Sequence, residues 1–118
     1  MSLFSAMTRV KFAEKTTVMK TIEIKRATED GLVSAIGVLL EWQGFQFCLT
    51  SVGNKWMAIE LSSGASAYEE HRFKPIKKMI SGTLERLESK GIQELKKAIE
   101  HFKTQFPEFQ YPINQPVK

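Results

Sequence analysis

Two histidines, His71 and His101, and one cysteine, Cys48, are the only imidazole and thiol groups in the sequence. Catalysis needs a nucleophile, a base or a metal set acting in concert. Neither histidine has a Cys or a second His at metal-ligand spacing. His71 follows Glu69 and Glu70, and this trio could hold a divalent ion. Solvated charges ahead of a helix are the simpler reading. A nucleophilic Cys48 would need a histidine or a helix N-terminus beside it. The flanking sequence offers neither, so Cys48 reads as a small core or interface residue. Ser62-Ser63-Gly64-Ala65-Ser66 is small enough to cradle an anion through backbone N–H groups. No helix follows it at once, which favours an ordinary loop. Adjacent carboxylates occur at Glu29-Asp30 and Glu69-Glu70. Neighbours in sequence are not the facing acids of a glycosidase-like pair. There is no G-x-S-x-G, no Walker loop and no dinucleotide fingerprint. The chain therefore reads as a non-enzyme without a cofactor or a metal.

Two constellations point to binding. Arg72, Lys74, Lys77 and Lys78 cluster where a helix is predicted to begin. The positive end of the helix dipole disfavours cations there. The same end binds phosphate strongly, because dipole and charge add. This is the candidate nucleic-acid or anion site. Arg9, Lys11, Lys20, Lys25 and Arg26 could join it if the first strand lies nearby. The alternative is internal pairing with the acids of residues 28–70. Trp42, Phe45, Trp56 and Met57 form the second constellation. Such a face suits a subunit interface, or a pocket for a small apolar or cationic ligand.

The elements that must position these residues follow from periodicity. Residues 18–26 alternate, with Ile22 and Ile24 on one face. Glu29-Asp30-Gly31 signals a turn. Val33 to Trp42 is rich in branched residues, with Gly37 as a bulge candidate. Gln43-Gly44 predicts a tight hairpin. Phe45, Phe47 and Leu49 share one face of the next strand, and Gln46, Cys48 and Thr50 the other. Gly53-Asn54 suits a type II′ turn. Met57, Ile59 and Leu61 then oppose Trp56, Ala58 and Glu60. Residues 62–68 read as loop. Pro75 suits the first helical position, and Ile76, Met79, Ile80, Thr83, Leu84 and Leu87 recur at helical spacing. Gly91 divides this stretch from Ile92, Leu95, Ala98, Ile99, Phe102 and Phe106, and Pro107 stops it.

The predicted fold is α+β: a four-stranded antiparallel meander followed by two C-terminal helices packed on one face. Its core is Ile22, Ile24, Val38, Leu40, Phe47, Leu49, Ile59, Leu61, Ile80, Leu84, Leu87, Leu95, Ile99 and Phe102. Strands followed by helix resembles the order in some single-strand-binding domains, a likeness of architecture that names no site. The acidic central strands argue against the sheet itself as the nucleic-acid face.

A length of 118 residues suits one domain, 1–118. Residues 1–17 read as an N-terminal arm or extension. Residues 107–118 read as an extended arm whose prolines disfavour helix. Trp42 and Trp56 are expected to face away from the helices, leaving an aromatic sheet face for the arms or a second copy to cover. A homodimer or larger assembly is the expected state, with those arms and that face in the interface. The net charge is +4, unevenly spread. Residues 1–27 carry six basic groups against two acidic, residues 28–70 one against six, and residues 71–91 six against two. Nucleic acid is thus a possible partner. A lone cysteine and the absence of a long apolar run point to the cytoplasm, with no membrane span and no secretory signal.

Overall fold

Alternation of apolar and polar side chains builds the sheet, and short turns fix its register. The computed structural model describes residues 9–12, 15–72 and 74–118. Strands β1 (Arg9–Phe12) and β2 (Lys15–Val18) pair with each other as a two-stranded antiparallel sheet. They carry part of the expected N-terminal arm; the rest of that arm lies outside the described residues. Strands β3 (Thr21–Thr28), β4 (Gly31–Trp42), β5 (Phe45–Val52), β6 (Lys55–Glu60) and β7 (Ser66–Glu70) form an antiparallel meander in sequence order. Helix α1 (Ile76–Gln105) follows.

The α+β class stands, with two corrections. A fifth strand, β7, occupies the end of the stretch read as loop. Its register against β6 shifts between Ala58 and Ile59, so Ala67 interrupts the alternation that marks a strand. The two expected helices meet at Gly91 without a loop, as one helical element with a kink. Gly91 alone leaves helical geometry (φ 84°, ψ 161°), and the apolar stripe keeps its direction across it. Leu84 and Leu87 before the break, and Ile92, Leu95 and Ile99 after it, pack on the same cluster with Trp42 and Phe47.

Both faces of the sheet are covered from within the chain. Val38, Leu49, Trp56 and Ala58 meet Ile76, Met79 and Ile80 of α1, together with Met19. The opposite face gathers Ile22, Ile24, Ala35, Cys48, Met57, Ile59 and Leu61, with Val117 of the C-terminal tail packed against them. The expected core is buried at every position except Leu40, Leu84 and Phe102, which are half-buried.

The tail is pinned by hydrogen bonds as well as by packing. Ile113 N–H donates to the Ser62 carbonyl (2.7 Å), and Asn114 N–H to that of Leu61. The Asn114 side chain accepts from Lys25 N–H (2.7 Å) and donates to the Lys25 and Leu61 carbonyls. Gln46 exchanges two bonds with the backbone of Val117. Ala27 N–H also reaches the Gly64 carbonyl at 2.8 Å. The free edge of β3 is thereby sealed against the β6–β7 loop and the tail, and the sheet curls on itself.

Gly37 marks the place where β4 changes partner. An added Cβ there would run into the Leu49 carbonyl and lie 2.8 Å from Cys48 Sγ. Close backbone approach, which only glycine permits, explains this residue better than the bulge its sequence suggests. Up to Val38, β4 pairs with β3; from Val38 onward it pairs with β5.

Candidate functional site

The residues of the basic cluster do come together, around the entry to α1, and they divide into two kinds. Lys74 is half-buried and its Nζ contacts Glu70 Oε1 at 3.0 Å. Lys55 reaches Glu69 Oε1 at 2.8 Å. The alternative of internal pairing with the acidic segment therefore accounts for these two lysines. Arg72, Lys77 and Lys78 are exposed, as is Arg86 two turns further along the helix. Among the described residues none of these four makes an ion pair. Lys77 and Lys78 stand in the first turn of α1, which has no acidic residue, and its N-cap Pro75 supplies no side-chain bond. Two lysines thus add their charge to the positive end of the helix dipole.

Two clefts flank this entry. One, of about 530 Å³, runs between Tyr68 and the helix and is lined by Lys74, Lys78, Ser81, Glu85 and Arg86. The other, of about 360 Å³, is lined by Asn54, Lys55, Trp56, His71 and Arg72. Arg86 carries no motif. Only its helical phase, eight residues beyond Lys78 and so on the same side, could have joined it to the cluster. The proposed contributions of Lys20 and Lys25 go elsewhere: Lys20 Nζ donates to the Lys118 carbonyl, and Lys25 Nζ to Ser34 Oγ. Those of Arg9 and Lys11 rest on side chains outside the described residues.

The Glu69–Glu70–His71 trio is not a metal cradle. Successive strand residues point to opposite faces, and each carboxylate has its own lysine. The hydrogen bond from Lys55 is the main cause that lowers the Glu69 pKa; for Glu70 it is the bond from Lys74. Among the described residues no three of His, Cys, Asp and Glu gather as metal ligands.

The serine-rich loop binds an anion, but an internal one. Glu60 is buried, and its carboxylate accepts from Ser62 N–H (2.9 Å), Ser63 N–H (3.0 Å) and Ser62 Oγ–H (2.9 Å). Gly64 N–H and the Ala65 carbonyl close the loop on the Glu60 backbone. The amides expected to cradle a phosphate are already engaged. Glu60 itself carries no motif. The available signal was a carboxylate on an otherwise apolar strand face, two residues before a pair of serines.

Trp42, Phe45, Trp56 and Met57 are not brought together, and the tryptophans do not face away from the helix. Trp42 and Phe45 pack with Leu87, Leu95 and Ile99; Trp56 packs with Ile76, Met79 and Ile80. Met57 lies on the other face with Cys48 and Ile59. The indole N–H groups are used to lock the helix: Trp42 Nε1 donates to Glu88 Oε1 (2.7 Å), and Trp56 Nε1 to the Lys74 carbonyl (2.9 Å). Buried indoles need such partners. Cys48 is a fully buried thiol, with its pKa pushed up to about 12 by burial, the opposite of an activated nucleophile.

No family model, no curated protein and no solved structure matches this chain. No helix of the described residues is long and apolar enough to cross a membrane.

Proposed function

We propose that this chain is a small non-catalytic binding protein that acts as a homo-oligomer and engages an anionic partner, nucleic acid, through the basic start of α1. One observation carries the reading. Arg72, Lys77, Lys78 and Arg86 are exposed without carboxylate partners among the described residues, and two of them stand where the helix dipole repels them. Local electrostatics set against local stability is a mark of a functional position. Phosphates would relieve that repulsion and draw as well on the first-turn amides of Ile76 and Lys77, those of Lys78 and Met79 being taken by the Pro75 carbonyl.

The experiment is fluorescence anisotropy with single- and double-stranded DNA and RNA, titrated against salt. Binding should weaken with salt at a slope of several phosphates. Changing Lys77 and Lys78 to Glu should abolish binding. The same double change places acids in the first turn, so it should raise stability by roughly 0.3–1 kcal/mol for each favourable charge. Loss of affinity with a gain in melting temperature is the expected signature. Absence of binding at low salt excludes the reading.

A further inference from the structure

Among the described residues, the large apolar side chains open to water are Leu32 (45% exposed), Val33 (40%) and Ile36 (63%). All three lie on the first half of β4, and among the described residues that half has no ladder on the side away from β3. Asn114 and Gly64 take the outward backbone groups of Lys25 and Ala27 on β3. Ile24 and Arg26 therefore turn their backbone groups toward β4, and in the observed register so do Ala35 and Val33 toward β3. Leu32, Ser34 and Ile36 then direct N–H and C=O the other way. The β5 ladder on that side begins only at Val38 opposite Leu49. The Thr50 hydroxyl reaches this edge, donating to the Ile36 carbonyl at 2.8 Å. A cleft of about 380 Å³ opens between Ser34–Ile36 and Thr50–Val52.

Other edges of the sheet are defended. That of β3 is sealed by Gly64 and Asn114. That of β7 carries Glu69 and Glu70 and a register shift, devices that discourage strand addition. Residues 31–37 of β4 read Gly-Leu-Val-Ser-Ala-Ile-Gly, with no charge and no proline. Two of the surfaces expected to join two copies are already used within one: the tail lies on its own sheet, and the tryptophans lie under the helix.

We infer that the free edge of β4 pairs with the same edge of a second copy of this chain, antiparallel about a two-fold axis at Ser34. The edge is complementary to itself. With Ser34 on the axis, Leu32 faces Ile36 of the second copy, and Val33 faces Ala35. Among the described residues Leu32 and Ser34 have backbone groups free to bond across, as has the Ile36 N–H, while the Ile36 carbonyl must give up its bond from the Thr50 hydroxyl. All three exposed apolar side chains gain cross-strand neighbours, and no charged side chain of β4 meets its like. A self-complementary patch of this kind is what a two-fold interface requires. The inference rests on the oligomeric part of the reading above and is independent of its basic surface.

Sedimentation velocity on the full chain across the micromolar range, run beside the anisotropy assay, tests it. The wild type should sediment as a dimer. Ser34→Pro removes an N–H that the ladder with β3 does not use, and Ile36→Lys places a charge opposite Leu32. Each should raise the dimer dissociation constant by more than about tenfold, the loss of roughly one strand hydrogen bond or more. Should either variant fail to fold, Ser34→Cys serves instead. Two such residues on the axis would face each other at about 5.5 Å between Cα atoms, within disulfide reach, and should give an oxidised dimer. A monomeric wild type overturns the inference, and so does a β4 edge that binds only a foreign extended peptide. A dimer untouched by these changes and not trapped by Ser34→Cys also overturns it, while leaving the homo-oligomeric reading intact. Nucleic-acid binding is scored separately, so failure of one proposal is visible apart from the other.

Discussion

Within β4, Val38, Leu40 and Trp42 lie under the helix and pair with β5, whereas Leu32, Val33 and Ile36 belong to a half paired with β3 alone and stand open to water. Both halves are aliphatic and both suit a strand. The difference lies in what each meets. The second half has α1 on one face and β5 at its side; the first half leaves the β5 ladder and faces the end of β5 across a cleft. Strand composition specifies extended backbone, and burial is decided by the neighbours. Gly37 is the joint between the two regimes, because the Leu49 carbonyl occupies the space a side chain would need.

The sharpest way to separate the halves is to remove side-chain volume from each. Phe47, opposite Leu40, is fully buried. Phe47→Ala should cost about 3–5 kcal/mol in urea-induced unfolding. Leu32→Ala in the open half should change the stability of a single folded copy by less than about 0.5 kcal/mol. Equal costs would break the comparison.

The joint comes next. Gly37→Ala should cost about 3 kcal/mol, the upper end of the range for overpacking, since backbone rather than a flexible side chain blocks the new Cβ. A near-neutral result would show that β4 and β5 can part without loss.

The smallest effect concerns the acidic end of β7. Its folded-state carboxylates titrate below their ordinary value of 4.5, chiefly through hydrogen bonds from Lys55 to Glu69 and from Lys74 to Glu70. A lowered native pKa means that the native state holds its proton less tightly than the unfolded chain. The stability this gives is present above the ordinary carboxylate range and is lost as pH falls through the lowered native values. The Lys55–Glu69 pair is partly exposed, so its share should stay below about 1 kcal/mol and shrink with salt. Glu69→Gln should flatten the acid side of a plot of melting temperature against pH. An unchanged slope would assign acid sensitivity to other groups.

Three of the five meander strands are legible as period-two alternation, a fourth as a run of branched residues, and the three turns that join them as glycine placement. Gln43 and Gly44 both take positive φ (50° and 85°), the demand of a tight hairpin that glycine meets without strain. β7 is illegible because its register shift breaks the period on which the reading depends. The helix break at Gly91 is legible, but continuity across it depends on the surface the apolar stripe meets. The basic cluster is legible as composition. Its division into Lys74, held by Glu70, and Arg72, Lys77 and Lys78, unpaired among the described residues, is not, because the pairing depends on where β7 ends.

By itself the sequence determines all but one of the meander strands, the helical stretch, their order and which residues share a face, since these follow from side-chain period and backbone preference over a few neighbours. It determines equally the uneven charge and the lack of a clustered catalytic motif. Tertiary structure alone decides which cover each face receives. The aromatic face takes the helix, because two indole N–H groups find acceptors at Glu88 and Lys74. The other face takes the tail, because Asn114 fits the unpaired backbone of Lys25, eighty-nine residues away in sequence. Contacts of that span leave no local periodicity, and they are what closes the β3 edge of this sheet.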